Sequence, residues 1–422
     1  MVRKRQSEKG AVSTVDLASS IGFSPIGDGS YTSIKDMLPT FIPQWDHIMG
    51  GGIPFGRLTE VYAPEQVGKS TLMIYFNRIA NTLGADVFWL DAEGTSESGR
   101  MEELGVDDNH TFLYQPDMNK GESLNVEQVG ATIEKIIKLY SEDEQLKNTP
   151  LVVIWDSIGG TVTKAEQDTE FGQEGQRGRQ AAAVTKLVRK VTPILKDVNI
   201  ALIAINQVRA NQDRNNPYAP KTVSGGGEAL KHADSLRLEL VKSTQIKGTY
   251  KGDKEASYEG HLINMKIDKS KQSRPHQSAK AALLAGWLLP NDAFLDGIDY
   301  EYNMYNEARE LGLITTGGAY RKYTRTNGEE VKYYEMDFLK RLKEDPELTK
   351  ELFVECTKLV YKEGMPKYLK NENLDCSAWP GVTELKDYYE NNPIKEPEDY
   401  GNDITGADTV NSGEPDDSND LE

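Results

Sequence analysis

From Phe41 to Asp268 the chain alternates between two textures: short runs of nearly continuous apolar residues, and longer stretches in which apolar side chains return every three or four positions. The runs are Leu58–Tyr62, Asp86–Asp91, Leu151–Asp156 and Ile200–Asn206. The periodic stretches are the segment after Gly68 (Leu72, Ile74, Tyr75, Ile79), Val126–Tyr140 and Gln176–Lys196. A strand that is apolar on both sides must be covered on both faces. Such strands separated by amphipathic helices predict an α/β core, with a mostly parallel central sheet flanked by helices. Ser235–Lys242 and His261–Asp268 instead alternate apolar and polar residues about a turn near Gly252, the pattern of an antiparallel edge.

The flanks have another texture. Residues 1–40 carry scattered apolar positions (Val15, Leu17, Ile21, Phe23, Ile34, Met37, Leu38), too few for a core, and predict an N-terminal arm that packs on another surface. Residues 41–289 form the core. Beyond Pro290, Asn303–Leu311 stopped by Gly312, Glu335–Glu344 and Leu348–Tyr361 predict the helices of a small separate α/β unit, residues 290–380. No internal repeat is present.

A chain of 422 residues with 37% hydrophobic content is long enough for two to three folding units. No membrane-length apolar run occurs, and the basic, polar opening Met1–Gly10 is followed by no apolar stretch. A cytoplasmic protein with neither secretory signal nor anchor is expected. Cys356 and Cys376, the only two cysteines, lie in no C-x-x-C arrangement, which argues against a disulfide framework or a zinc site. The net charge of −18 would disfavour a nucleic-acid partner were it evenly spread. It is not: residues 381–422 hold 13 acidic residues against Lys386 and Lys395, about −11 of the total. That segment has too few apolar residues to order itself, so a disordered acidic tail is expected. It is either a solubilising end or an intramolecular competitor for a basic groove.

The chemistry begins between the first apolar run and the helix after it. Ala63, Pro64, Glu65, Gln66, Val67, Gly68, Lys69, Ser70 and Thr71 follow the G-x-x-x-x-G-K-[ST] pattern, with alanine at its first position. Such a loop turns successive backbone N–H groups inward around phosphates; Lys69 reaches the β- and γ-phosphates and the Ser70 hydroxyl is placed for Mg²⁺. ATP binding follows. Asp156, with Ser157, closes an unbroken apolar strand and is the candidate second Mg²⁺ carboxylate. Glu93, just past the strand Asp86–Asp91, is a candidate base for the attacking water. Gln207 ends the fourth run as an amide suited to sensing a γ-phosphate oxygen.

Two polar, cation-bearing stretches follow these strands. Val208–Glu228 contains Arg209, Arg214, Lys221 and the glycines Gly225, Gly226 and Gly227; Thr161–Gln176 carries Lys164 and runs into Arg177 and Arg179. Long loops of this kind on one sheet edge suit contact with a single-stranded phosphate backbone irrespective of base. Loops without a ligand are the alternative.

Taken in order, Trp45–Tyr62, the phosphate loop, Leu90–Glu93, Leu104–Asp107, Gln115–Asp117, Asp156–Ser157, Ile205–Arg209, Gly226–Lys231 and Asn306–Ile314 resemble the RecA strand-exchange recombinases over about three quarters of the chain, with the phage-encoded branch nearest. The resemblance implies a DNA-dependent ATPase that forms a helical filament on single-stranded DNA and pairs it with homologous double-stranded DNA, using ATP and Mg²⁺. A single-strand-binding protein and a loader are implied as partners. It further implies that Glu93 activates water, that Gln207 reads the γ-phosphate, and that Thr161–Gln176 and Val208–Gly227 are DNA-binding loops. Lys269 and Lys271 fall where the family places two lysines that reach a neighbouring protomer's ATP; their i, i+2 spacing on a strand points both the same way. Arg100 replaces the family's adenine-stacking tyrosine. A RecA-fold hexameric helicase or motor would share the P-loop, Asp156 and Glu93. A nucleotide-dependent DNA-binding scaffold would lack the catalytic carboxylate. The lysine pair and the Glu310–Leu313 match favour the recombinase.

Overall fold

The four apolar runs become the middle of one sheet because each has a helix to cover either face. In the computed structural model, which describes residues 14–23, 34–116, 124–169, 178–210, 222–249, 257–287 and 297–393, nine strands form this sheet. Its order is Ser278–Trp287, Ser257–Ser270, Leu236–Thr249, Arg57–Ala63, Ile200–Ala210, Leu151–Asp156, Asp86–Asp91, Thr111–Tyr114, with the short Thr222–Ser224 pairing back onto Ile200–Ala210. All pairings from Leu236–Thr249 across to Thr111–Tyr114 are parallel; the other two along the main order are antiparallel.

Period-two alternation divides the central strands between two cores. Val152, Ile154, Ala201 and Ile203 pack with Leu72, Phe76 and Ile79 of the helix Lys69–Thr82 on one face. Leu151, Val153, Trp155 and Leu202 pack with Ile133, Val184 and Val188 of the helices Val126–Glu142 and Arg179–Leu195 on the other. The first of these two helices starts at a reciprocal cap, Asn125 accepting from the Gln128 N–H at 2.8 Å while Gln128 Oε1 accepts from the Asn125 N–H at 2.9 Å.

Three strands of this sheet escape the pattern reading, one of them the short Thr222–Ser224 inside a stretch expected as a loop. Thr111–Tyr114 has only four residues, too few to show a period, and Ser278–Trp287 abuts the change of texture near Pro290. The strand at Leu236 is antiparallel to one neighbour as expected, yet parallel to the P-loop strand on its other side.

The C-terminal part holds the helix Tyr300–Glu310, a three-stranded antiparallel sheet and the helices Glu335–Glu344 and Pro346–Val360. It is less separate than its texture implies. Phe353, Tyr368, Trp379 and Leu385 share one buried cluster with Phe41 and Trp45. The Phe41 ring stacks on Trp379 with centroids 4.4 Å apart and meets Phe353 and Tyr368 edge-on.

The segment from Gly381, expected as a tail unable to order itself, instead opens with a helix, Val382–Asn391. Its overall acidity hides a spacing of i, i+3, i+7: Val382, Leu385 and Tyr389 fall on one face and are buried. Tyr389 donates its hydroxyl to the Tyr361 carbonyl at 3.2 Å. The remainder, 394–422, lies outside the described residues.

The arm also divides. Its helix Thr14–Ser20 buries nothing. Residues 36–40 are buried, and the Asp36 carboxylate accepts from Asn199 Nδ2, the N–H groups of Glu372 and Asn373, and Asn373 Nδ2.

Phe41→Ala is therefore expected to cost about 3–5 kcal/mol, read as a lower urea midpoint. Asp46 is fully buried, with only Oδ1 bonded, to the Thr40 N–H and hydroxyl. Burial pushes its pKa up to about 7 from 3.8. A raised carboxyl contributes stability below its ordinary pKa and loses it as pH rises through the folded value. The wild type should lose stability relative to Asp46→Asn as pH climbs through about 7, measured by urea unfolding across that range.

Candidate active site

The strand Arg57–Ala63 delivers the chain to the carboxyl edge of the sheet, and the helix Lys69–Thr82 leaves from it. Between them Gln66 takes φ +59° and Gly68 φ +104°. A Cβ on Gly68 would lie 2.2 Å from Leu283 Cδ1, so glycine is required by space as well as by φ. Ala63 pairs with Gln207 as an ordinary extended residue, which explains why alanine is accepted at the first position of the motif. No side chain caps this helix at Gly68, leaving its first N–H groups available to an anion.

Lys69 folds back over the loop, donating to the Ala63 and Pro64 carbonyls at 3.1 and 2.8 Å. Burial lowers its pKa, against the pull of Asp156, Glu93 and Glu65. His261, from the neighbouring antiparallel strand, lies with Nε2 3.1 Å from the Val67 carbonyl and donates to it, bracing the loop from below. Nothing in the sequence marked this histidine.

Register gathers the acids. Asp91 pairs with Asp156 across adjacent parallel strands, so both end at the P-loop edge. Ser70 Oγ donates to Asp156 Oδ2 at 3.4 Å. Burial first, then the charges of Glu93 and Asp91, push the Asp156 carboxyl up to about 7, while Ser70 and Lys69 pull it down. Asp91, itself fully buried, accepts from the N–H groups of Glu93, Gly94 and Ser96 and from Gln115 Nε2, fixing the turn that carries Glu93. Glu93 Oε1 in turn accepts from the Ser157 hydroxyl and, at 3.3 Å, from Gln207 Nε2. Gly160 makes room for it: a Cβ there would lie 2.6 Å from Glu93 Cγ. Lys69, Ser70, Glu93, Asp156 and Gln207 thus converge on one edge.

Behind Gln207 lies a buried polar network. Asn206 Nδ2 donates to Glu60 Oε1 at 2.7 Å and to the Gly225 carbonyl at 3.0 Å. Glu60 pairs with Arg237, which also reaches Asp268 and lies 4.0 Å over the Tyr62 ring. An acid inside an otherwise apolar strand, Glu60, was the sequence signal for it.

The other candidates are spread more widely. Lys269 sits on the strand Ser257–Ser270 opposite Arg237, with Nζ donating to the Lys231 and His232 carbonyls. Lys271 falls one residue past that strand, and its N–H bonds Ser235, whose own N–H bonds Leu58. The expected i, i+2 strand placement is therefore replaced by a bend. Leu58 is the second residue of the P-loop strand and Ala63 its last, about 16 Å apart at strand rise, so this lysine lies at the edge opposite its own phosphate loop. Arg100 is half-exposed on the helix Ser98–Glu103, 3.6 Å from Glu103.

Lys164 opens a short helix, Lys164–Gln167, rather than lying in a structureless loop, and Arg179 starts the long helix Arg179–Leu195. The second stretch is ordered at both ends: Arg209 extends the strand Ile200–Ala210 and pairs with Val223, while Gly226 and Gly227, at φ +84° and +77°, turn the chain from Gly225 into the helix Gly227–Ala233. Arg177, Arg214 and Lys221 lie outside the described residues. No helix among those described is long and apolar enough to cross a membrane.

Fold and site together define a P-loop nucleotide-binding protein of the α/β class. The family model for the RecA N-terminal domain matches residues 25–287, and the chain belongs to that family. It is similar to Protein RecA of Thermotoga neapolitana (26% identical, covering 78% of this chain and 85% of that one) and of Campylobacter lari (27%, covering 83% and 92%). Protein RecA of Aquifex aeolicus is 29% identical, covering 72% and 77%. The chain is accordingly a recombination and repair protein that binds ATP and DNA.

ATP at a hundredfold over its Kd should stabilise the protein by about 2.7 kcal/mol, seen as a higher Tm. Lys69→Ala should abolish most of that rise while leaving the ligand-free Tm little changed.

Proposed function

We propose that the chain is an ATP-driven strand-exchange recombinase whose catalytic site is completed by a second copy of itself. One observation carries this reading: Lys271 lies at the end of the sheet opposite the P-loop of its own protomer, tied through Ser235 to Leu58 near the start of the P-loop strand, with Lys269 two residues before it. A site split between opposite edges is closed by head-to-tail contact, and a head-to-tail interface that does not close a ring propagates as a helix. Of the arm, 1–40, the exposed helix Thr14–Ser20 is read as packing on the adjacent protomer, residues 36–40 being held by their own, and residues 290–380 are read as the smaller C-terminal domain.

Within the site, Glu93 is the general base. Held by Ser157 and Gln207, it takes a proton from the attacking water as the water oxygen bonds to the γ-phosphorus. The bond to the β,γ-bridging oxygen breaks, its electron pair leaving with ADP. Lys69 and the first N–H groups of its helix hold the phosphates. Ser70 and Asp156 fit Mg²⁺, since a carboxylate beside a hydroxyl and crowded by two further acids has no ion pair among the described residues and only the charge of Lys69 to offset them; Mg²⁺ bound there would neutralise phosphate charge. Arg100 is assigned to the adenine face.

Gln207 couples nucleotide to DNA. It contacts Glu93, while its neighbour Asn206 holds Gly225 at the far end of the second loop. Lys164, Arg177, Arg179, Arg209, Arg214, Lys221 and Gly225–Gly227 are the proposed contacts to the phosphate backbone. Sequence specificity then comes from pairing between strands. We place the chain nearest the phage-encoded branch, working in the cytoplasm with a single-strand-binding protein and a loader. A closed hexameric motor would show rings on DNA in electron micrographs; open helical filaments are expected.

A strand-exchange assay tests the whole reading: joint molecules should form with ATP and not without it, and the logarithm of DNA affinity should fall linearly with log salt. Glu93→Gln should keep ATP and DNA binding and lose about 10²-fold or more in turnover. Unchanged hydrolysis would remove Glu93 from its role.

A further inference from the structure

The strands Ser257–Ser270 and Ser278–Trp287 are joined by a turn, residues 271–277, that exposes Lys271, Arg274 and His276. Its backbone is fixed from several sides. Ser270 Oγ accepts from the N–H groups of Gln272 at 3.1 Å and Ser273 at 2.9 Å. Gln272 Nε2 donates to the Met49 and Gly52 carbonyls at 2.6 and 2.9 Å, and Lys367 Nζ donates to the Gln272 carbonyl at 3.2 Å. The His276 N–H bonds the Ile267 carbonyl at 2.6 Å, and the Ile267 N–H bonds that of Gln277 at 2.9 Å. Gly50 packs so close that a Cβ there would lie 2.9 Å from the Gln272 carbonyl oxygen. His276 is held at φ +64°, a left-handed conformation that a residue with a Cβ keeps only where its surroundings impose it.

This rigid turn presents exposed cations. Among the described residues neither Lys271 nor Arg274 has an ion pair; Lys269 lies near enough to Lys271 to be repelled by it, and Arg274, three residues further along the turn, lines a shallow cavity that Glu363 also lines. Like charges held together on a fixed backbone suit an anion brought from outside the protomer.

The geometry points to Arg274 as a third cation acting in trans, closing with Lys269 and Lys271 on the triphosphate held by the neighbouring protomer's P-loop. The inference rests on the reading of the two lysines given above and adds a group of different chemistry to them. Lysines supply point charges, whereas a guanidinium takes two phosphate oxygens at once and fixes their orientation. Its contact strengthens as charge spreads over the transferring phosphoryl group and the departing diphosphate, so it favours the transition state over bound ATP.

The test compares Arg274→Ala, Arg274→Lys and Lys271→Ala in the full chain. With saturating single-stranded DNA, Arg274→Ala should lower kcat at least about tenfold and raise the ATP concentration for half-maximal hydrolysis, with partial recovery in Arg274→Lys. Nucleotide binding by dilute, DNA-free protein and its Tm should stay at wild-type values. Mixing Arg274→Ala with Lys69→Ala protein should give more hydrolysis than the two separately, because sites joining the first variant's P-loop to the second's arginine are intact. Wild-type hydrolysis by Arg274→Ala, with Lys271→Ala crippled, would overturn the assignment of Arg274 and leave the lysines standing. Wild-type hydrolysis by both would remove the shared site itself. A mixture no better than its parts would overturn action in trans. A smaller salt slope for DNA binding, with hydrolysis at saturation unchanged, would make DNA phosphate the anion and equally overturn it.

Discussion

The parallel register of the central sheet is the constraint on which everything else in this molecule depends. Ala63 stands beside Gln207, and Asp91 beside Asp156. Because the strands share one direction and one side-chain period, a residue that follows the last apolar position of any strand emerges at the same edge. The phosphate loop, Asp156 near its serine, Glu93 and Gln207 need no separate scaffold. Slipping one strand by a single residue would exchange the side chains fitted to the two cores and shift its end residue along the edge, so the packing on the two sides also holds the chemistry in place.

That convergence has an electrostatic cost, which accounts for the shape of the site without ligand. Three carboxylates approach one another; the Asp156 carboxyl rises to about 7 and the Lys69 ammonium falls below its ordinary value, both chiefly through burial. Lys69 turns to the carbonyls of its own loop, and Glu93 is held by Ser157 and Gln207. Each of these groups thus finds a partner within its own protomer. The polar interior behind Asn206 has a different character. Glu60 and Arg237 are paired and almost wholly buried, so the arrangement tolerates little change unless all its members move together.

What the sequence made legible follows from how local each signal is. The four strand runs and the loop after the first of them depended on continuous apolar stretches and the residues ending them, and those appear in the structure as expected; Glu93, Gln207 and Asp156 stand at the ends of such runs. Thr111–Tyr114 is too short to show a period. The helix Val382–Asn391 was hidden because composition averages over a segment, whereas burial needs only the three positions on one face. His261 bracing the P-loop, Asp91 fixing the Glu93 turn and Gly160 clearing space for the carboxylate are contacts between residues distant in sequence or made through backbone. No local pattern announces such contacts; they require the pairing of strands to be known first.

The two edges of the sheet also differ in a way that bears on assembly. The P-loop edge gathers Asp91, Glu93 and Asp156 with a single lysine among them, whereas the opposite edge gathers Lys269, Lys271 and Arg274 on a strand end and a braced turn. Burying either edge alone against a neutral surface would strand unpaired charge in a low dielectric, which is strongly unfavourable. Bringing the basic end of one copy toward the acidic end of another would pair opposite charges. Because these faces lie at opposite ends of the same strands, each copy satisfied at one end still offers the other, so head-to-tail association continues unless its rotation closes a ring.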